Sequence, residues 1–281
     1  MSTSLREKLA VPPGPVDLRS IDPAATPGAP GDKKGVEALL PEHDAELADL
    51  QEQVVAMAEV EGSRKRLLLV LQGMDCCGKD GAIKRGLQGM NPKWTHIKGF
   101  GAPTEEEREH HFLWRIRREL PTPGAIGVFA RSHYEDIVAV RVRGLASEEV
   151  WRPRFEEINA FERQLADDGC AIVKVFMHIS RDYQQERQLR RLRRVDKRWK
   201  FDPGDLDDRA RWDEYMEAYG EVLERCSSHQ APWYVLPSDT KWYRNWAVSQ
   251  LVRETLEDLD PHWPPRPELD LPALEARLLA S

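Results

Sequence analysis

Between residues 41 and 60, Leu47, Leu50, Val54, Met57 and Val60 recur at spacings of three and four, which predicts an amphipathic helix. The pattern then changes. Residues 66–72 (RLLLVLQ) form a short apolar run of the kind that fills a strand buried on both faces. A glycine-rich turn follows, then a helical stretch at 79–90 and a second strand at 95–100. Further strands are predicted at 125–130, 171–179 and 233–237. Helices are predicted at 105–120 (strongly charged), 155–168, 181–194 (strongly basic), 207–225 and 242–259. Strands alternating with helices predict an α/β fold with a mainly parallel sheet. Ligands of such sheets bind at the carboxyl ends of the strands. Residues 1–35 are rich in Pro, Gly, Ala and Asp and read as an extended arm without a core role; the proline-rich stretch from 261 reads as irregular.

Composition narrows the function. Forty-one basic residues against 48 acidic give a net charge of −7, which excludes a globally basic nucleic-acid coat protein and argues against unaided binding to an anionic membrane. The longest uninterrupted apolar run, Leu67 to Leu71, is five residues, too short for a membrane span. Residues 1–10 lack the apolar core of a signal peptide. Four cysteines, two of them adjacent, form neither a disulfide framework nor a CxxC pair. A reduced, cytoplasmic protein is expected.

Gly73-Met-Asp-Cys-Cys-Gly-Lys79-Asp80 fits the pattern G-x-x-x-x-G-K, with Asp80 where Ser or Thr normally stands. Gly73 and Gly78 allow the backbone to turn so that successive N–H groups point at phosphate oxygens. The helix that follows offers its positive end, and Lys79 supplies a mobile charge. Asp75 is an anion inside an anion cradle, which makes sense if it holds a metal ion; the alternative is a turn-capping aspartate. For Asp80 helix capping is the favoured role.

Residues 125–130 have the apolar character of a Walker B strand but end in Ala130 rather than a carboxylate. Arg131-Ser-His-Tyr-Glu-Asp136 follows at once, placing Arg131, Glu135 and Asp136 at a strand's carboxyl end. Arg131 can pair with phosphate in a fork geometry; a plain helix start with a surface ion pair is the alternative. Residues 181–200 carry nine basic side chains and three acidic ones, net +6 in a chain whose net charge is −7. Arg187, Arg190, Arg191 and Arg194 share one helix face. So much charge suits a polyanion, although a solvated helix face has the same composition. Trp199 and Phe201 could stack on a base.

Several segments in order resemble the family-2 polyphosphate kinases, which are polyphosphate:nucleotide phosphotransferases. They are Gly73-Met-Asp-x-x-Gly-Lys-Asp-Gly81, Asn91-Pro92, Phe112-Leu-Trp-Arg115, Arg131-Ser-x-Tyr-Glu-Asp136, Trp199-Lys-Phe201, Ala231-Pro-Trp-Tyr-Val235 and Lys241-Trp-Tyr-Arg244. The resemblance implies a three-layer, thymidylate-kinase-like P-loop fold with a central parallel sheet and a helical lid at about 181–212, inside a kinase domain at 36–264, with a tail at 265–281. It implies dependence on magnesium or manganese, polyphosphate as one substrate, a nucleoside mono- or diphosphate as the other, no nucleic acid, and a homodimer or homotetramer. It assigns catalysis to Asp75 (the metal ligand), Lys79, Arg131, Glu135 and Arg187. Phosphate binding falls to Gly73, Gly78, Lys79, Asp80, Gly81, Arg187, Arg191 and Lys200, and nucleotide binding to Asn91, Arg131, Tyr134, Glu135 and Trp199. The subgroup acting on both AMP and ADP is the most similar. Four positions depart from the family pattern: Cys76-Cys77 for two small residues, Ala130 for Asp or Asn, Gly101 for lysine, and His111 for an acidic residue. The adjacent thiols could make the loop sensitive to oxidation. The other readings of the motifs are a conventional ATP-dependent nucleotide kinase and a non-catalytic polyanion-binding protein.

Overall fold

The computed structural model describes residues 4–281. Its centre is a five-stranded, all-parallel sheet in the order β2-β3-β1-β4-β5. The strands are β1 (Arg66–Gln72), β2 (Thr95–Gly99), β3 (Ile126–Ala130), β4 (Cys170–His178) and β5 (Trp233–Pro237), each within one residue of the predicted bounds. Every residue of β1 is buried, because the strand lies mid-sheet with helices on both faces. β1 has β3 on one side and β4 on the other, so the loop after it opens at the sheet's carboxyl end.

Helices α2 (Lys33–Glu61), α3 (Lys79–Gly86) and α12 (Lys241–Asp258) pack together on one face. On the other lie α6 (Glu135–Val142), α8 (Arg154–Asp167) and α11 (Trp212–Arg225), with the short α7 (Glu148–Trp151) alongside. The basic segment forms α9 (Arg181–Arg193), a 3-10 turn at Val195–Lys200 and α10 (Gly204–Ala210).

Several elements differ from the sequence expectation. Helix α2 begins eight residues before 41 and runs through Pro41, although an interior proline costs ~3 kcal/mol. Burial of Val36 against the core compensates, and the Asp32 side chain caps the new start. The arm is not detached. Helix α1 (Leu5–Leu9) buries Leu5 and Leu9, and Leu18 is buried further on. The Val11 N–H donates to the Trp233 carbonyl at 2.9 Å, and Ala10 bridges Tyr234. The arm thereby covers β5, which would otherwise leave an open sheet edge.

The helix expected at 105–120 is two: α4 (Glu105–Glu109) and α5 (Trp114–Arg117), separated by extended backbone at His110. The break lets Leu113, Arg115 and Ile116 all turn inward. The helix expected at 207–225 breaks at Arg211, where α10 over the site gives way to α11, whose apolar stripe joins the core. The tail contains α13 (Leu271–Leu279), capped by Asp270, with no buried residue.

Candidate active site

The loop between β1 and α3 needs left-handed backbone at three places: Gly73 (φ 142°), Cys76 (φ 69°) and Gly78 (φ 102°). At Gly73 space is also decisive, since a Cβ there would lie 2.7 Å from the Met177 carbonyl oxygen of β4. At Gly78 a Cβ would meet the Arg244 guanidinium at 2.1 Å. Arg244 is buried and donates to the Cys77 carbonyl at 3.2 Å, so the glycine exists to let an arginine reach under the loop. Lys79 folds back over its own loop, with Nζ 2.9 Å from the Gly73 carbonyl oxygen and 3.3 Å from Cys77 Sγ.

Opposite the loop stands Arg131, just past β3, itself at φ 64°. A non-glycine residue there carries ~1–2 kcal/mol of strain. The strained turn delivers its Nη2 to within 2.6 Å of Asp75 Oδ1. Burial pushes the Asp75 carboxyl up, but Arg131 and Lys79 outweigh it and hold the group below its ordinary value. Glu135, in the first turn of α6, moves the other way: burial raises it, and Arg131 and Lys79 only partly offset this. Asp205 of α10 is pushed up to about 7 by burial and by the Asp75 carboxylate it faces.

Two cavities meet here. The first, of ≈ 690 Å³, runs from Gly73 and Asp75 past Glu135 to Phe100, Pro103, Phe112, Leu145, Tyr215 and Tyr219, with Arg108, Arg115, Arg143 and Arg154 set into its apolar wall. The second, of ≈ 530 Å³, is lined by nine lysine and arginine side chains and only two carboxylates, Asp75 and Asp80. Its cations come from the loop and α3 (Lys79, Lys84), from Arg131, from the α9 segment (Arg187, Arg190, Arg191, Lys197, Lys200) and from Arg244. Asp75, Phe100 and Arg131 line both cavities. The α9–α10 segment is tied down over the loop. Gln184 donates to the Asp75 carbonyl at 3.1 Å, and Lys200 pairs with Asp80 at 2.6 Å. Arg143 of the first cavity forks onto Asp208 of α10 at 2.9 and 2.5 Å.

The expected site residues divide accordingly. Gly73, Asp75, Gly78, Lys79, Asp80, Gly81, Arg131, Glu135, Arg187, Arg191 and Lys200 all line one cavity or both. Asp80 does not cap α3, whose N-terminal residue Gly78 makes no side-chain cap; its carboxylate is held low chiefly by Lys200. Three nucleotide-binding assignments place their residues elsewhere. Asn91 lines neither cavity; it caps the Pro92–Trp94 turn, and its backbone N–H bonds Gln51. Tyr134 is fully buried, because the turn that points its neighbours at the site points its ring into the core. Trp199 is 77% exposed, stands outside both cavities and carries Lys200 Nζ over its ring. Arg194 also leaves the cationic face: it ends α9 and pairs with Asp196.

Of the departures from the family pattern, Ala130 and Gly101 line the cavities, while His111 pairs with Glu157 on the surface. Cys76 and Cys77 are both buried, and burial pushes the Cys76 thiol up to about 11. A thiol so raised stays mostly protonated near neutrality, which disfavours the reactive thiolate at Cys76. Sequence reasoning missed Arg143, Arg154, Asp205, Asp208, Tyr215 and Tyr219, and saw Arg244 only as part of a motif. Only the Lys241–Arg244 spacing, one turn apart on a helix, was a usable signal.

A parallel sheet, a P-loop after its central strand and a cationic helical segment above that loop define a P-loop phosphotransferase. The comparisons give the family. The polyphosphate kinase 2 (PPK2) model matches residues 32–263, and the chain belongs to that family. It is 44% identical over 253 residues to an AMP/ADP-polyphosphate phosphotransferase of Meiothermus ruber, covering 90% of this chain and 93% of that one. It is 41% identical to an ADP-polyphosphate phosphotransferase of Rhodopseudomonas palustris, over 78% of each chain. The crystal structure of polyphosphate kinase 2 from Arthrobacter aurescens TC1 superposes with a TM-score of 0.95 at 42% identity, covering 100% of this chain and 98% of that one.

Proposed function

We propose that the protein moves a phosphoryl group reversibly between inorganic polyphosphate and AMP or ADP. The observation that carries this reading is the meeting of two unlike cavities at Asp75 and Arg131. The cationic cavity suits a chain carrying about one charge per phosphate. The other offers apolar walls and separate arginines, which suit a base, a ribose and a short phosphate group. The printed activities of the Meiothermus and Rhodopseudomonas relatives support the same pair of substrates.

In this reading the acceptor's terminal phosphate oxygen attacks the terminal phosphorus of the polyphosphate. The bond to the next bridging oxygen breaks, and the shortened chain leaves as an anion. A nucleotide phosphate is already ionised, so no general base is needed. Catalysis is positioning and charge neutralisation. Lys79, Arg187 and the loop amides take the donor side, and Arg131 spans donor and acceptor. Glu135 lines the acceptor cavity beside Arg131.

The residues fit a magnesium ion held jointly by protein and substrate. Asp75 and Asp205, which face one another, would hold it, and its charge would offset the burial and mutual repulsion that raise Asp205. Bound there, magnesium would screen phosphate charge.

The two cavities are separable by kinetics. Arg190→Ala and Lys197→Ala are each expected to raise the KM for polyphosphate about five- to tenfold and leave the acceptor KM unchanged. Phe112→Ala is expected to raise the acceptor KM by a similar factor, with the polyphosphate KM unchanged. Initial rates with each substrate varied in turn check this. If all three variants shift the same KM, the assignment of the cavities is wrong.

A further inference from the structure

A cluster of ionisable groups lies behind the site without lining either cavity. Lys174 of β4 is fully buried. Its Nζ donates to a Glu162 carboxylate oxygen at 2.5 Å, to the Tyr134 hydroxyl at 3.0 Å and to the Cys226 carbonyl at 2.6 Å. The other Glu162 oxygen accepts from the Tyr134 hydroxyl at 2.8 Å and lies 3.2 Å from His133 Nε2. Burial pushes the Glu162 carboxyl up, but Lys174 and His133 together outweigh it and hold the group below its ordinary value.

Burying such a pair costs several kcal/mol per ion, and apolar side chains of the same volume commonly hold a core as well or better. Stability therefore does not account for it. What the cluster does grip is the turn from Arg131 to Glu135. His133 and Tyr134, the residues between the two site side chains, both end on Glu162. Ser132 is held as well, by Gln72 at the end of β1 at 3.2 Å. Through Cys226 the cluster also fixes the end of α11, the helix that brings Tyr215 and Tyr219 to the first cavity. A turn that begins with a strained Arg131 needs such over-determination to keep its shape.

We infer that Tyr134, Glu162 and Lys174 are positioning residues for phosphoryl transfer, holding the 131–135 turn so that Arg131 stays at the junction of the two cavities. The inference rests on the transfer reaction proposed above.

Tyr134→Phe removes one hydroxyl and no volume. It is expected to lower kcat about tenfold with both KM values within about twofold, because displacing a positioned group by a fraction of an ångström costs rate. The decisive readout is a cycle with Arg131→Ala. If Tyr134 acts through Arg131, adding Tyr134→Phe to Arg131→Ala changes kcat by less than about twofold. A merely structural role gives the same tenfold loss in both backgrounds and overturns the inference. So does a Tyr134→Phe enzyme of wild-type kcat. The apolar double variant Glu162→Leu/Lys174→Met is a second test: a folded protein with kcat within about threefold of wild type contradicts the inference. Wild-type turnover in the same assay separates the readings. If the wild type transfers nothing from polyphosphate, the proposed reaction fails; if it turns over and the cycle is additive, only the positioning role fails.

Discussion

Lys79→Ala is expected to lower kcat for transfer from polyphosphate by a factor on the order of a thousand, with circular dichroism and melting temperature close to wild type. The size follows from where the ammonium sits. Its present partners are weak ones, a carbonyl of its own loop and a thiol. In the proposed reaction a phosphate oxygen entering the cationic cavity takes both places, and the charge is engaged most strongly as the bridging bond breaks. Removing one preorganised electrostatic contact of this kind typically costs 10²–10³ in rate. The fold has little stake in the residue: among the described residues Lys79 forms no salt bridge, and α3 is anchored by Gly81 and Ala82 N–H bonds to the Gly78 carbonyl. A variant that retains rate within twofold rules out this mechanism.

Arg131→Ala is expected to give a loss of similar size, about a thousandfold in kcat, and Arg131→Lys to recover only a small part of it. Arg131 is one of three residues that line both cavities, and its guanidinium already forms a hydrogen-bonded pair with Asp75. Asp75 and Glu135 hold it charged despite its burial. A guanidinium can bond the donor's terminal phosphoryl and the acceptor's phosphate at once; an ammonium is a point charge that cannot fork. Arginines in such a bridging position are worth 10³–10⁵ in phosphoryl transfer. Steady-state rates at saturating polyphosphate and ADP check both variants. Equal activity of Arg131→Lys and wild type would show that charge alone, without the fork, suffices.

The strands and the loop were legible because their signals are local. Four short apolar runs matched the buried strands β1, β3, β4 and β5, residues 95–100 matched the exposed edge strand β2, and Gly73 to Gly78 carried its own chemistry. The cationic cavity was legible too, since Arg190 and Arg191 follow Arg187 by three and four residues on a single helix. The other cavity was not. Arg143 comes from the end of α6, and Arg154, Asp208 and Tyr219 from α8, α10 and α11; they converge only when those helices pack against one another. Tyr134 failed for a related reason. Neighbours in sequence within a turn point in different directions, so a tyrosine flanked by site residues ended in the core with Glu162 and Lys174. The arm was misjudged because composition speaks of its prolines and glycines, whereas Leu5 and Leu9 find their pockets on β5 and α12, and Leu18 its burial, only in three dimensions. Helix α2 shows the same lesson: burial of Val36 outweighs an interior proline that sequence rules treat as a stop.

The central claim is tested most directly by an end-point assay without ATP. The purified protein is incubated with long-chain polyphosphate and magnesium, once with AMP and once with ADP, and the nucleotides are resolved by ion-exchange chromatography. The account predicts ADP growing from AMP and ATP from ADP, each proportional to enzyme and absent without polyphosphate. No product from either nucleotide, in a preparation that does transfer phosphate from ATP to a second nucleotide, would contradict it.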